Sequence, residues 1–277
     1  MMSTALVTGT SKGIGFETAL AFARAGHHVA ATMRSPAQSP TLGEMAAGEK
    51  LPITIYIMDV DNDESVIEGI ARAARELGPI DVLVNNAGIE RTGSVEELAM
   101  SDFRDVMETN YFGAVRCIRA VLPSMRQRKT GTIINVTSVA GIISLAPMAP
   151  YAASKFALEA LSEALAQEVK AFNVRVAIVQ PGITDTSMAR HLSVDAAPSP
   201  YPQKGRMAAL YNALLKQPIP PTIAAEKILE IATNGSWQLR YLVGADAAPF
   251  VGWRRGMTDE AWVDFGALDE EAWYARI

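Results

Sequence analysis

This sequence has little of what disulfide scaffolds, metal centres and membrane spans require. Only one of its 277 residues is a cysteine, Cys117, so an internal disulfide is excluded. The three histidines, His27, His28 and His191, are scattered and show no metal-ligand spacing. No apolar run approaches the ~18–20 residues that span a bilayer. We therefore expect no metal site and no membrane span.

The chain also has no large excess of charge of either sign. The net charge of −5 offers no basic surface for nucleic acid, so no nucleic-acid partner is expected. Apolar residues make up 49% of the chain, enough for a large core in one α/β domain. The first strand begins by Ser3, which leaves no room for a signal peptide and predicts a cytoplasmic protein.

What the chain does have is a regular alternation of apolar runs and helical patterns. We predict strands at 5–7, 28–33, 53–58, 80–84, 132–136, 174–179 and 239–243. Helical patterns stand between them, including one over about 63–77, one long helix over 100–128 and another over 151–172. This alternation predicts a parallel sheet with helices on both faces.

A glycine-rich turn joins the first strand to the first helix. Thr8 is followed by glycines at 9, 13 and 15, a G-x3-G-x-G spacing. Glycines let the backbone approach a pyrophosphate, which then sits at the helix N-terminus. An ordinary strand–helix turn is the alternative.

The residues around this turn bear on the choice of cofactor. A site for NAD usually has an acidic residue about 20 residues beyond the glycines. No Asp or Glu occurs between Glu17 and Glu44, whereas Arg34 follows the second strand and Lys12 lies within the turn. Two cations suit a 2′-phosphate, so NADP(H) is favoured over NAD(H). The alternative is two solvated surface charges.

Tyr151 and Lys155 are four residues apart, so they share one face of a helix. A neighbouring cation favours phenolate and makes tyrosine a better base. Ser138 follows the fifth strand, and Asn86 follows the fourth, where parallel strands form a ligand crevice. Taken singly, Ser138 could be a helix cap and Lys155 a solvated lysine.

Six motifs that occur in order along the chain argue against these alternatives. They are Thr8-Gly9-x3-Gly13-Ile14-Gly15, Asn85-Asn86-Ala87-Gly88, Asn110, Ser138, Tyr151-x3-Lys155 and Pro181-Gly182. Over about residues 3–245 the chain resembles the short-chain dehydrogenase/reductase family, in its compact branch rather than the extended epimerase branch. The resemblance implies a Rossmann-type, doubly wound and mainly seven-stranded parallel sheet.

The resemblance also implies residue roles. Tyr151 would be the general acid or base, Lys155 would bind the nicotinamide ribose and lower the pKa of the tyrosine, and Ser138 would bind the substrate oxygen. Asn110 would hold a water that relays protons. The implied cofactor contacts are Gly9, Ser11, Lys12, Gly13, Ile14, Gly15, Arg34, Asp59, Val60, Asn86, Gly88, Tyr151, Lys155, Pro181, Gly182, Thr184 and Thr186.

Residues 183–220 resemble the family's lid over the substrate. Their apolar content suggests a bulky, apolar ketone or alcohol; alternatively these residues only pack the lid onto the sheet. The candidate substrate contacts are Ile143, Leu145, Met188, Leu192 and Tyr211. Glu90 and Arg91 also fall near the crevice, without an assigned role.

The last segment, 253–277, carries Trp253, Trp262 and Trp273 and many acidic residues. We treat 1–252 as one domain with this tail appended. The tail could cover the body, a neighbouring subunit or the substrate mouth. Family members are often homodimers or homotetramers, and a similar assembly is expected here.

The leading hypothesis is an NADP(H)-dependent oxidoreductase that moves a hydride between nicotinamide and a ketone or secondary alcohol. The main alternative is a non-catalytic redox sensor or scaffold that binds the same dinucleotide. A dehydratase or epimerase of this fold is a further alternative, although the compact form of the motifs counts against it.

Overall fold

The computed structural model describes residues 3–194 and 198–276. Its centre is one seven-stranded sheet in the order β3-β2-β1-β4-β5-β6-β7, and every neighbouring pair is parallel. The strands are β1 Thr4–Thr8, β2 His28–Met33, β3 Ile53–Ile57, β4 Ile80–Asn85, β5 Gly131–Val136, β6 Val174–Pro181 and β7 Arg240–Val243. The predicted doubly wound sheet is confirmed.

Helices cover both faces of the sheet. They are α1 Gly13–Arg24, α2 Thr41–Glu49, α3 Asp63–Leu77, α4 Met100–Met107, α5 Gly113–Arg128, α6 Ala149–Val169, α7 Ser187–Leu192, α8 Gln203–Leu214, α9 Pro221–Thr233, α10 Ala247–Arg255, α11 Asp259–Gly266 and α12 Glu270–Tyr274. One core cluster joins the sheet to α1 and α9, and a second joins its other face to α3, α5 and α6. Among the described residues, no helix is both long and apolar enough to cross a bilayer.

The strand order places the site. The chain winds outward in one direction from β1 to β3, then returns to β4 on the other side of β1. The loops after β1 and β4 therefore diverge and leave a crevice at the carboxyl edge of the sheet. The glycine turn, Asn86, Ser138 and Gly182 all follow strands at this edge.

The long helix predicted over 100–128 is interrupted. Its two α-helical parts, α4 and α5, are separated by a π-helical turn at Glu108–Phe112. A π turn inserts one residue into the helical ladder and is frequent at functional sites. Here it contains Asn110, which is only 1% exposed.

The C-terminal tail, 253–277, packs against other parts of the same chain. The Trp262 indole Nε1 donates to the Ser144 carbonyl oxygen at 3.3 Å. The Arg206 guanidinium of α8 donates to the Leu268 carbonyl oxygen at 2.6 Å. The tail is thereby fastened both to the loop before α6 and to the lid.

Candidate active site

A cavity of about 630 Å³ runs along the carboxyl edge of the sheet, from the glycine turn to the lid. The predicted site residues that line it are Gly9, Ser11, Lys12, Gly13, Ile14, Arg34, Asp59, Val60, Asn86, Gly88, Ser138, Ile143, Leu145, Tyr151, Lys155, Pro181, Gly182, Thr184, Thr186, Met188, Leu192 and Tyr211. Gly15 and Asn110 lie behind this lining. The structure thus brings together segments that are far apart in the chain.

The glycine turn is tight enough to require its glycines. Gly9 and Gly13 have φ values of +70° and +63°, in the left-handed region. A Cβ on Gly15 would lie 2.3 Å from the Asn86 Nδ2 and 2.4 Å from the Gly9 carbonyl oxygen. The Asn86 Nδ2 donates to the Thr8 carbonyl oxygen at 2.9 Å, which ties the two loops together. This close backbone at the start of α1 fits a pyrophosphate.

The far end of the crevice carries the predicted cations. Lys12 and Arg34 are exposed, and within the described part of the chain neither forms an ion pair. Asp61 lines the crevice as well, although no motif in the sequence points to it. Burial raises the pKa of Asp61, while Arg34 opposes that rise. Arg34 therefore lies within electrostatic reach of one carboxyl group.

Lys155 is not a solvated lysine. Its side chain is buried, with the residue 4% exposed, and its Nζ donates to the Val136 carbonyl oxygen at 3.0 Å. The same Nζ lies 5.6 Å from the centre of the Tyr151 ring. Burial lowers the pKa of Lys155 to about 8, with Glu159 opposing. The ammonium is thus held beside the tyrosine in a dry environment.

Tyr151 starts from a strongly protonated state. Burial raises its pKa to about 12; the Ser138 hydroxyl opposes this, and the Glu90 carboxylate adds to it. The Ser138 Oγ also accepts the Ala140 N–H at 3.1 Å, so this serine caps the short turn after β5 and faces the crevice at once. In the protein alone, the Tyr151 hydroxyl is therefore protonated at neutral pH.

Asn110 braces the crevice from behind. Its Oδ1 accepts the Ile89 N–H at 2.8 Å, and its Nδ2 donates to the Ile89 carbonyl oxygen at 2.9 Å. The Nδ2 also donates to the Ser154 Oγ at 2.9 Å. Asn110 therefore joins the segment after β4 to α6, the helix that carries Tyr151 and Lys155.

The end of the crevice beside Tyr151 is largely apolar, and Glu90 places a carboxylate there. Met148, Leu192 and Met207 form a buried cluster on which Tyr151 and Tyr211 pack. Glu90, His191 and Phe250 also line the crevice. No local signal in the sequence points to Phe250, because this residue of α10 reaches the crevice only through tertiary folding.

Glu90 offers a test of the local electrostatics. Its carboxylate contributes to the raised pKa of Tyr151, so Glu90→Gln should lower that pKa. The Tyr151 phenolate would then form at lower pH. If Tyr151 is the base in alcohol oxidation, as proposed below, the rising limb of the pH profile should move to lower pH, measured as log kcat/KM against pH.

A matched control is Glu68→Gln, which removes an exposed carboxylate on α3. It should leave the pH profile in place. An unshifted limb in Glu90→Gln would mean that Glu90 does not influence the titrating group.

The fold and the crevice together define a dinucleotide-binding α/β protein. The family model described as short chain dehydrogenase matches residues 3–197. The chain therefore belongs to the short-chain dehydrogenase family, as its motifs predicted. It is an oxidoreductase of that family, whose cofactors are nicotinamide dinucleotides.

Three relatives illustrate the range of sequences that are similar to this chain. The uncharacterized oxidoreductase YusZ of Bacillus subtilis (strain 168) is 36% identical over 248 residues, 87% of this chain and 88% of that protein. Retinol dehydrogenase 8 of Bos taurus is 41% identical over 72% of this chain and 64% of its own length. The 3-ketodihydrosphingosine reductase of Bacteroides thetaiotaomicron is 37% identical over 68% of this chain and 66% of its own.

Solved structures agree with the fold. A short-chain dehydrogenase from Streptomyces avermitilis superimposes with a TM-score of 0.81 at 33% identity, covering 92% of this chain and 93% of that one. A gluconate 5-dehydrogenase from Burkholderia cenocepacia J2315, in complex with NADP and tartrate, superimposes with a TM-score of 0.77 at 25% identity, covering 89% of this chain and 95% of that one.

Proposed function

We propose that this protein is an NADP(H)-dependent oxidoreductase that interconverts a ketone and a secondary alcohol, with Tyr151 as the general acid and base. The observation that carries the proposal is the convergence of Ser138, Tyr151 and buried Lys155 on one wall of the crevice. Its apolar end suits a bulky, apolar substrate.

The proposed chemistry uses few groups. The crevice would hold a reduced nicotinamide, which would supply the hydride for the carbonyl carbon. The Tyr151 hydroxyl donates its proton to the carbonyl oxygen in reduction, and the phenolate takes a proton from the alcohol in oxidation. The Ser138 hydroxyl donates a hydrogen bond to that oxygen, and the Lys155 ammonium stabilises the phenolate.

Several residues would hold the cofactor. The glycine turn suits the pyrophosphate; Asp59 and Val60 would contact the adenine, and Pro181 to Thr186 would cover the nicotinamide. Lys12 and Arg34 support a 2′-phosphate, hence NADP(H) rather than NAD(H). The NADP in the similar gluconate 5-dehydrogenase fits this preference.

The test is an assay of apolar ketones and secondary alcohols with both cofactors, followed by the absorbance of reduced nicotinamide. We expect a higher kcat/KM for NADPH than for NADH. Arg34→Asp should shift that ratio toward NADH by about 10- to 100-fold, because a charge-assisted hydrogen bond is worth about 1.5–3 kcal/mol. Arg104→Asp, which reverses an exposed charge on α4, is the control.

Two results would count against these proposals. A ratio that Arg34→Asp leaves unchanged would refute the cofactor preference alone. Tight NADPH binding without turnover of any ketone or alcohol would favour the alternative, a redox sensor or scaffold.

The apolar substrate class is supported by the lining and by the names of two relatives. Retinol dehydrogenase 8 and 3-ketodihydrosphingosine reductase are named for apolar molecules.

A homodimer or homotetramer is also proposed. Phe112 and Phe156 are 45% and 42% exposed beside α5 and on α6, which suits an apolar contact between copies. The cytoplasmic location stays a prediction.

A further inference from the structure

A second cavity, of about 670 Å³, lies on the other side of the lid helix α8. It is bordered by α8, the loop before α6, α10 and the tail helices α11 and α12. Three tryptophans, Trp253, Trp262 and Trp273, contribute to its walls. Its volume falls within the ~300–1,000 Å³ typical of small-molecule sites. The proposed chemistry at Tyr151 makes no use of it.

The walls of this cavity are mostly apolar, and two of its polar side chains are already engaged. The Arg206 guanidinium donates to the carbonyl oxygens of Leu268 and Gly266 at 2.6 and 3.4 Å and is paired with Glu270. The Gln203 Nε2 donates to the Gly266 carbonyl oxygen at 3.2 Å. These bonds fasten the tail to the lid. Asp246, Arg276 and Ser144 also line the cavity, and the Asp246 Oδ2 accepts the Ile183 N–H at 2.7 Å. The other lining residues are apolar and suit a hydrocarbon.

The aromatic part of the wall is preorganised. The ring centres of Trp253, Trp262 and Phe265 lie 5.0–6.0 Å apart, and the Trp262 indole is anchored on the Ser144 carbonyl oxygen. An apolar groove that faces water leaves hydrophobic surface unburied, and such surface often marks a binding site. A groove of this size with fixed aromatic rings therefore favours a ligand as its occupant.

The second cavity adjoins the first through shared side chains. Leu145, Met207, Leu210 and Phe250 line both cavities. Met207 also belongs to the buried cluster on which Tyr151 packs. Methionine is unbranched and changes rotamer easily, so this partition is adaptable. A substrate chain that starts at Tyr151 would reach the tail tryptophans when these side chains move aside.

We propose that the second cavity binds the distal hydrocarbon chain of the substrate, which is a ketone or secondary alcohol on a long alkyl chain. The inference rests on the proposed function and names its substrate class. The reacting oxygen lies at Tyr151 and Ser138, and the chain extends past Met207 and Leu210. The tail helices are thus part of the substrate site.

Turnover tests this through chain length. For a series of 2-alkanones, kcat/KM with NADPH should rise by up to about fourfold per added methylene until the cavity is filled. Ala213 lines only the second cavity, so Ala213→Phe should reduce kcat/KM for the longest ketones about tenfold or more and leave short ketones unchanged. Ala209→Phe, on the same helix but in neither lining, is the matched control.

Binding is measured separately from turnover. A terminally brominated long-chain alcohol should quench tryptophan fluorescence saturably, because three of the four tryptophans line the cavity. The fourth, Trp237, is 44% exposed and outside it. Ala213→Phe should weaken this quenching about tenfold, and Ala209→Phe should not.

The outcomes separate the two proposals. Short ketones that turn over with no gain from added methylenes would overturn the hydrocarbon site and leave the oxidoreductase proposal intact. Absence of saturable quenching, or quenching unaltered by Ala213→Phe, would also overturn it. Saturable quenching without turnover of any ketone would instead refute the oxidoreductase proposal and still support a hydrocarbon site.

Discussion

Replacing Tyr151 with phenylalanine is expected to reduce kcat about 10²- to 10⁴-fold, the range typical of a lost general acid or base. The substitution removes only the hydroxyl. The ring would keep its packing on Met148, Leu192 and Met207, so the fold and the crevice should persist. NADPH affinity, measured by fluorescence titration, should change little.

Tyr211→Phe is the matched control. Tyr211 packs on the same apolar cluster and lines the same crevice, and its hydroxyl lies 4.0 Å from the Met148 sulfur. Its kcat should stay within a few-fold of the parent. Full turnover in Tyr151→Phe, or equal losses in both variants, would refute the assignment of Tyr151 as the proton donor.

Ser138→Ala is the second large expected effect. Loss of one hydrogen bond to the developing oxyanion typically costs about 10²- to 10³-fold in kcat. The Ser138 hydroxyl also lowers the pKa of Tyr151, so its removal should raise that pKa. The rising limb of the pH profile for alcohol oxidation should therefore move to higher pH, opposite to the shift expected for Glu90→Gln.

The pH shift distinguishes this role from a structural one. Ser138→Ala also removes the acceptor for the Ala140 N–H, a loss of about 1 kcal/mol in the free energy of unfolding. Ser138→Thr keeps a hydroxyl and should restore part of kcat. If Ser138→Ala lowers thermal stability but leaves kcat and the pH profile unaltered, Ser138 serves only as a turn cap.

Elements with strong local signals were predicted to within a residue. The helix over 63–77 was predicted from its sequence, and α3 has those bounds. Asn62 caps it by accepting the Ser65 N–H at 2.8 Å, and Gly78 ends it with a φ of +90°. Strand β2 likewise has its predicted bounds, 28–33. Caps, glycines and apolar periodicity act over a few residues, so they can be read locally.

The π turn at Glu108–Phe112 could not be predicted in this way. It places the Asn110 amide against Ile89 and Ser154, which are 21 and 44 residues away. Those hydrogen bonds, rather than the local sequence, account for the burial of Asn110. Helices α7 and α8, which lie within 183–220, were not predicted either, for a related reason. The apolar side of α8 is explained only by the crevice on one side and the tail on the other.

The sequence by itself determined the family, the order of strands and helices, and the set of polar residues at the strand ends. These depend on local patterns and on motifs that are recognised from the spacing of their residues along the chain. Only the tertiary structure decided that Lys155 is buried beside Tyr151, that the Glu90 carboxylate raises the pKa of Tyr151, and that α10 and the tail border a second cavity. Burial and the contacts between distant segments exist only after the chain has folded, because they are set by packing across the sheet and the lid.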